Sequence, residues 1–226
     1  MPRSIRICVL ALLLAVVATG CGSQRAAIAP SDLRDSVVRI AGTACLKPIL
    51  ATGFVVEKGT IVTVAHAVAG AEADLGVITA SGASHAVEVV SFNEQLDIAI
   101  LSVDGLNGTP LRAGEAIAGD PGVIGAMTPE STIELIDYEV LRIVNARSGD
   151  IYNEGAVERT AIDVRTNAGR GTSGAPLLND AGRYVGMVFA ISRDRDDGVF
   201  ALAASEILDY LATSNTDSPA GRGRCR

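Results

Sequence analysis

The sequence predicts an all-β fold of two six-stranded antiparallel β-barrels with a short C-terminal helix. From Ser36 onward, the apolar residues come in short runs separated by Gly, Asp, Asn and Pro, a spacing typical of β-hairpins. Helical periodicity is almost absent from that region. With 48% hydrophobic and 20% charged residues, the chain can bury a large core, which excludes a disordered protein.

The apolar runs predict twelve strands, the number that two six-stranded barrels need. Barrel closure also removes the unpaired edges that so many strands would otherwise expose. The predicted strands are 37–40, 53–56, 61–64, 75–79, 87–92, 98–103, 123–127, 133–144, 160–164, 175–178, 184–191 and 199–202. Because segment 106–121 is rich in Gly and Pro, we expect it to link the halves, with the first barrel at 36–112 and the second at 113–203.

A helix is predicted at 204–214, followed by a tail at 215–226. Ser205 is a candidate N-cap, and two acidic residues, Glu206 and Asp209, suit the first turn of a helix. An apolar stripe supports the same segment; it consists of Ile207, Leu208 and Leu211.

The N-terminus predicts an export leader over residues 1–20. Two arginines precede an apolar run at 7–18, which is short for a spanning helix of about 20 residues. Small residues lead directly into Cys21, which resembles a bacterial lipobox in which Cys21 carries lipid and residues 21–35 form a tether. The alternative is a secreted protein without lipid. In both cases we expect an extracytoplasmic protein. With the lipid it belongs to the bacterial cell envelope and touches membrane only through that lipid; without it the protein is secreted.

The charge balance excludes nucleic acid as an expected partner. The chain carries 19 basic and 26 acidic residues, and loss of the leader, which holds two of the basic ones, makes its net charge about −9. Residues 193–197 alternate in sign, which indicates a solvated hairpin loop rather than a binding patch. With only two histidines, we expect no metal site and no cofactor. We expect a monomer.

The cysteines predict a disulfide between Cys45 and Cys225. Of the four, Cys8 leaves with the leader and Cys21 takes the lipid, so one pair remains in an oxidising compartment. Cys225 lies one residue from the end, where a bridge would hold a tail that otherwise dangles. Closing a loop of about 180 residues stabilises a fold by about 4 to 5 kcal/mol on the chain-entropy model. The alternative is two free thiols.

A serine hydroxyl becomes a nucleophile when an imidazole takes its proton and a carboxylate orients the imidazole. Of the two histidines, His66 ends an apolar strand, whereas His85 lies in what we expect to be an exposed turn. Asp97 interrupts the apolar segment 96–101, where an unpaired carboxylate is costly, so Asp97 needs a partner. The alternative is that Asp97 only caps the start of its strand by accepting hydrogen bonds from backbone amides.

Ser173 lies in a glycine-rich loop, 167–176, in which backbone amides can converge on one point. The amides of Gly171 and Ser173 are candidates for an oxyanion hole. The chain order His, Asp, Ser excludes an α/β-hydrolase, in which the histidine comes last, because no histidine follows Ser173. A subtilisin would run Asp, His, Ser, and its histidine motif is missing.

Four segments resemble the chymotrypsin and trypsin-like serine protease superfamily: 51–56 (ATGFVV), 63–66 (TVAH), 97–101 (DIAIL) and 171–176 (GTSGAP). The similarity covers residues 36–211 and is greatest to HtrA-type and actinobacterial membrane-anchored trypsin-like proteases. It implies the two-barrel fold and an exported serine endopeptidase acting on proteins or peptides. The implied roles are His66 as base, Asp97 as its orienting acid, Ser173 as nucleophile, and the Gly171 and Ser173 amides as oxyanion donors.

The resemblance also implies a neutral primary pocket. Asn167 would form its floor and Ala190, Ile191, Ser192 and Ala201 its walls, so we expect a small or medium neutral side chain before the cleaved bond rather than Arg or Lys. Thr172 stands where zymogens of the family have the acid that pairs with a freed N-terminus, which argues against that mode of activation. The alternative function is a catalytically silent surface lipoprotein that uses the same fold for binding.

Overall fold

The computed structural model describes residues 28–226. The predicted leader, the lipidation site Cys21 and the first part of the tether lie outside the described residues. Within residues 28–226, no helix is both long enough and apolar enough to cross a membrane.

The described part of the chain contains fifteen strands, one 3-10 turn at Pro30–Leu33 and two α-helices. The strands are β1 (Val37–Ala41), β2 (Thr43–Ala44), β3 (Lys47–Pro48), β4 (Ala51–Glu57), β5 (Thr60–Thr63), β6 (Gly76–Thr79), β7 (Ser84–Ala86), β8 (Glu88–Asn93), β9 (Ile98–Ser102), β10 (Pro121–Met127), β11 (Ile133–Ser148), β12 (Val157–Thr166), β13 (Pro176–Leu178), β14 (Tyr184–Ile191) and β15 (Gly198–Ala203). The helices are α1 (Ala65–Val68) and α2 (Ala204–Thr213).

The first half of the chain folds into an antiparallel, barrel-like sheet in the order β7-β6-β1-β4-β5-β9-β8. This sheet has seven strands rather than the predicted six, because β7 adds to its edge. The turn at Ser81 and Gly82 is closed by a bond from the Thr79 amide to the Ala83 carbonyl, and His85 then pairs with Val77. The prediction that His85 lies in an exposed turn is therefore wrong; it is a half-buried strand residue.

The second half forms a closed six-stranded barrel in the order β10-β11-β12-β15-β14-β13, as predicted. The all-β class with two barrel-like sheets and a C-terminal helix is confirmed. Helix α2 packs on the outside of this barrel, but Ser205 does not cap it: the helix begins at Ala204 and its N-cap position, Ala203, makes no side-chain cap. Glu206 instead accepts a hydrogen bond from the Thr160 amide at 2.8 Å, which ties α2 to β12.

Each half has its own apolar core, and a third apolar cluster joins them. The rings of Phe54 and Tyr184 meet in this third cluster with their centres 5.1 Å apart. Strands of both halves and Ile207 of α2 contribute to it. Because apolar burial is the dominant favourable term in folding, the two halves pack as one unit.

The C-terminal tail is bound to the first sheet. Cys45 and Cys225 form a disulfide with their Cα atoms 5.6 Å apart, so the predicted pairing is confirmed. The Gly70 amide donates to the Arg222 carbonyl at 2.8 Å, and the Arg224 amide donates to the Tyr152 hydroxyl at 2.9 Å. These bonds explain how a polar, glycine-rich tail keeps a fixed path.

The loop at 193–197 is less solvated than predicted. Arg195 turns inward and donates to the Asp163 carboxylate at 2.9 Å, and Asp163 is 1% exposed. Arg142 donates to the same carboxylate at 2.9 Å. Burial alone raises the pKa of Asp163, but the hydrogen bonds and positive charges of the two arginines outweigh it and hold this pKa below its usual range. A buried carboxylate requires such partners, which explains the inward turn.

Candidate active site

His66 lies in α1, the single helical turn that directly follows β5 and the predicted strand 61–64. Its side chain is 18% exposed. The turn brings the imidazole back over the start of β9, beside Asp97. The other histidine, His85, lies on β7 and borders a separate cavity of about 230 Å³. The structure therefore places only one histidine at Asp97.

Asp97 is 5% exposed and both of its oxygens bind His66. One oxygen accepts the His66 backbone amide at 2.8 Å, and the other lies 2.7 Å from ring Nδ1. Asp97 has a positive φ of 59°, which is uncommon outside glycine and costs energy. The carboxylate therefore binds His66 through both its backbone amide and its ring. The amide that it accepts belongs to α1 rather than to the start of its own strand.

Ser173 lies in a tight loop that two glycines make possible. Gly171 has φ +93° and Gly174 has φ +82°, a region that favours glycine. A Cβ on Gly174 would lie 2.0 Å from the Thr52 carbonyl oxygen, which leaves no room for a side chain. The loop is braced internally by the Thr172 hydroxyl, which donates to the Gly169 carbonyl at 2.7 Å.

The amides of Gly171 and Ser173 donate to no acceptor in residues 28–226, whereas those of their neighbours Gly174 and Ala175 donate to the carbonyls of Val188 and Thr172. Two unused donors two residues apart, in a loop fixed by glycines, are what an oxyanion hole requires. The half-buried Ser173 hydroxyl likewise makes no hydrogen bond with the described part of the chain. His66 and Ser173 are therefore not hydrogen-bonded to each other in this structure.

Thr52 is a site residue that the sequence patterns did not single out. It is fully buried and reaches across from the first sheet to the Ser173 loop. Its amide donates to the Ser173 carbonyl at 2.9 Å, and its hydroxyl donates to the Gly171 carbonyl at 3.2 Å. The same hydroxyl accepts from the Met127 amide at 3.0 Å. Thr52 thus orients two carbonyls of the loop; its place in the motif ATGFVV was the only signal.

Arg159 is a second residue that sequence reasoning missed. It is 3% exposed, stacks 5.3 Å from the centre of the Phe189 ring, and donates to the Gly149 carbonyl at 2.9 Å. Burial lowers the pKa of its guanidinium, and the negative charges of Asp97, Asp150 and Glu206 oppose that effect. A buried positive charge therefore lies within electrostatic range of Asp97. Nothing in the local sequence predicted it.

The residues predicted to form the primary pocket differ widely in their exposure to solvent. Asn167 is exposed, Ala190 and Ser192 are half-buried, and Ile191 is 50% exposed. Ala201 is fully buried in the core of the second barrel. Its place in the primary pocket stays a prediction. In residues 28–226, no three His, Cys, Asp or Glu side chains gather closely enough to hold a metal ion.

Two antiparallel, barrel-like sheets, with a His–Asp pair on one and a glycine-bounded serine loop on the other, define a peptidase domain of the chymotrypsin class. Residues 51–187 match the family model of the trypsin-like peptidase domain, and the chain belongs to that family. The superfamily resemblance is confirmed.

The serine protease Rv3671c of Mycobacterium tuberculosis is 30% identical over 195 residues, covering 84% of this chain and 49% of the relative. The chain therefore spans about half the length of that relative. The Do-like HtrA serine protease of Lactobacillus helveticus is 25% identical over 169 residues, covering 68% of this chain and 39% of the relative.

Crystal structures of Rv3671c superpose on this chain in two states. The active form gives a TM-score of 0.82 at 29% identity and covers 86% of this chain and 87% of its own. The inactive form gives a TM-score of 0.71 at 26% identity and covers 82% of this chain and 91% of its own.

Proposed function

We propose that this protein is a serine endopeptidase in which His66, Asp97 and Ser173 form the catalytic triad. The observation that carries the proposal is the double contact between Asp97 and His66. An ionised carboxylate only accepts hydrogen bonds, so the imidazole proton resides on Nδ1. Nε2 then keeps a free lone pair for the proton of Ser173, which is the tautomer that a general base needs.

In the first step, the Ser173 oxygen attacks the carbonyl carbon of the substrate while its proton passes to Nε2 of His66. The carbonyl oxygen becomes an oxyanion, which the amides of Gly171 and Ser173 stabilise. His66 then gives the proton to the leaving amine, the peptide C–N bond breaks, and an acyl-enzyme remains. Water, deprotonated by His66, then attacks this ester. The bond between the acyl carbon and the Ser173 oxygen breaks, His66 returns the proton to that oxygen, and the acid is released.

Two observations support an active arrangement of the loop. The amides of Gly171 and Ser173 have no internal acceptor in the described residues, so they are free to bind an oxyanion. The similarity is also greater to the active form of Rv3671c than to the inactive form. The missing hydrogen bond between Ser173 and His66 does not argue against catalysis, because catalytic hydrogen bonds often form or shorten only when substrate binds.

We further propose that the primary pocket is neutral and that the protein is exported. Asn167, Ala190, Ile191 and Ser192 carry no charge, so they cannot pair with Arg or Lys before the cleaved bond. Export by the leader 1–20, lipid attachment at Cys21 and a monomeric state belong to the same proposal. Profiling cleavage of a peptide library tests the pocket, and a strong preference for Arg or Lys contradicts it.

A fluorophosphonate probe tests the triad, because it reacts only with an activated serine. We expect the folded wild-type protein to be labelled and Ser173→Ala to be inert, with peptidase activity lower by about a millionfold. The two histidines give a matched pair: His66→Ala abolishes labelling, while His85→Ala keeps it. Absence of labelling in folded wild-type protein contradicts the proposal and favours a binding protein built on the same fold.

A further inference from the structure

A cavity of about 190 Å³ lies beside His66 and is lined by Ala44, Lys47, Pro48, Ile49, Leu50 and Ala67. None of the proposed primary-pocket residues borders it. Most of its wall comes from the separate two-stranded hairpin of β2 and β3 and from the residues after it, which lead into β4 of the first sheet. It is therefore a second surface at the same reactive centre.

The hairpin wall is fixed in place by several independent contacts. Cys45 and Leu46 form its turn with positive φ values of 53° and 65°, and the disulfide pins Cys45 to the tail. The Cys45 amide donates to the Gly70 carbonyl at 3.4 Å. The Leu46 amide donates to Glu72 at 3.3 Å. A wall held this way presents its side chains at fixed positions before a ligand arrives.

The cavity lies on the leaving-group side of the scissile bond. The acyl part of a substrate is bound by the proposed primary pocket on the second barrel, so the amine part must lie on the other side of Ser173. His66 has to donate its proton to that amine, and His66 borders this cavity. Leu50 connects the cavity to the Ser173 loop, since its side chain lies 3.5 Å from the position that a Cβ on Gly171 would take.

The charge of the cavity comes from Lys47. Lys47 is exposed and forms no ion pair with the described residues. The neighbouring carboxylates are engaged elsewhere: Glu72 accepts from the Leu46 amide, and Asp74 accepts from the Thr43 amide and hydroxyl at 3.0 and 2.9 Å. Lys47 is one of two lysines in a chain of net charge −7. A cation without a partner, beside an exposed apolar Leu50, favours an acidic residue with an apolar neighbour.

We infer that Lys47 and Leu50 make this cavity a subsite for the residues that follow the cleaved bond, and that the subsite selects acidic over basic side chains there. The inference rests on the proposed peptidase function. The attraction is between exposed charges, so its effect on kcat/KM is modest, about threefold to tenfold between Glu and Lys. It also weakens as salt screens it.

Matched peptides test the inference. A bond that the enzyme cleaves is first located in denatured casein, and quenched fluorescent peptides are then built around it with Glu or Lys at each of the three positions after the bond. We expect wild type to prefer Glu at one or more of these positions at low salt, with the preference reduced in 0.5 M salt. Lys47→Glu reverses the preference.

The second lysine, Lys58, provides the control because it lies in the distant turn between β4 and β5. Lys58→Glu changes the net charge equally and leaves the preference as in wild type. Equal cleavage of Glu and Lys peptides, or a preference unchanged by Lys47→Glu, overturns the inference while the peptidase function stands. Absence of cleavage of casein and of every peptide overturns both together.

Discussion

Both barrel-like sheets contribute residues to the proposed active site, but the two sheets are stabilised differently. The first carries His66 and Asp97, and the hairpin of β2 and β3 next to it is held by a disulfide to the tail. The second carries the Ser173 loop and contains a buried carboxylate, Asp163, which pairs with Arg142 and Arg195. A covalent link is insensitive to acid and an ion pair is insensitive to reductant. Reductant is therefore expected to destabilise the first sheet, and acid the second.

Loss of the disulfide is expected to have the largest effect on stability. Cys45 and Cys225 are 180 residues apart, and closing so long a loop restricts the unfolded chain by about 5 kcal/mol on the chain-entropy model. We expect dithiothreitol, or Cys45→Ser with Cys225→Ser, to lower the free energy of unfolding by about that amount in urea titrations. Reductant should have no further effect on the double variant. A wild-type midpoint unmoved by reductant would contradict this.

Loss of the Asp163 carboxylate is expected to cost about 1.5 to 3 kcal/mol, because it removes hydrogen bonds between a buried carboxylate and two charged guanidinium groups. The change to test is Asp163→Asn, which keeps the side-chain size, and thermal or urea unfolding measures it. Because Arg195 belongs to the loop after Ile191, we also expect the variant to discriminate less between residues before the cleaved bond. Glu139→Ala serves as the control, because it removes an exposed ion pair with Arg165. It should lower the free energy of unfolding by less than about 1 kcal/mol.

The Asp163 contribution should depend on pH. Its pKa is lowered in the folded protein, so the unfolded chain binds this proton first as pH falls. The stabilisation is complete above the ordinary Asp pKa of about 3.9 and is lost as the pH falls below it. The stability difference between wild type and Asp163→Asn should therefore be constant from pH 7 to about pH 5 and shrink below pH 4. A difference that grows in acid would contradict the sign.

The smallest expected effect tests the link between the two halves. Thr52→Val keeps the side-chain shape but removes the hydroxyl that binds Gly171 and accepts from the Met127 amide. Leaving that buried amide without an acceptor costs about 1 to 3 kcal/mol. A loosened oxyanion loop should lower kcat about 10-fold to 100-fold with little change in KM. Thr52→Ser keeps the hydroxyl and should restore kcat; equal losses in both variants would assign Thr52 a purely packing role.

The strands were predictable because each depends on local alternation of apolar and polar residues with turn residues at the ends. All twelve predicted strands correspond to observed ones. The three additional strands, β2, β3 and β7, are two or three residues long, too short to carry a periodic signal. The predicted Ser205 cap was wrong because α2 begins one residue earlier, at Ala204, so that Ser205 lies inside the helix.

The sequence by itself determined the fold class, the disulfide and the small set of residues able to form a triad, because composition limits the choices: two histidines, one remaining cysteine pair and one glycine-bounded serine loop. Only the tertiary structure decided which residues support them. Thr52 lies 119 residues from Gly171 and Arg195 lies 32 from Asp163. Such partners meet only after the strands have paired, so no local pattern can reveal them.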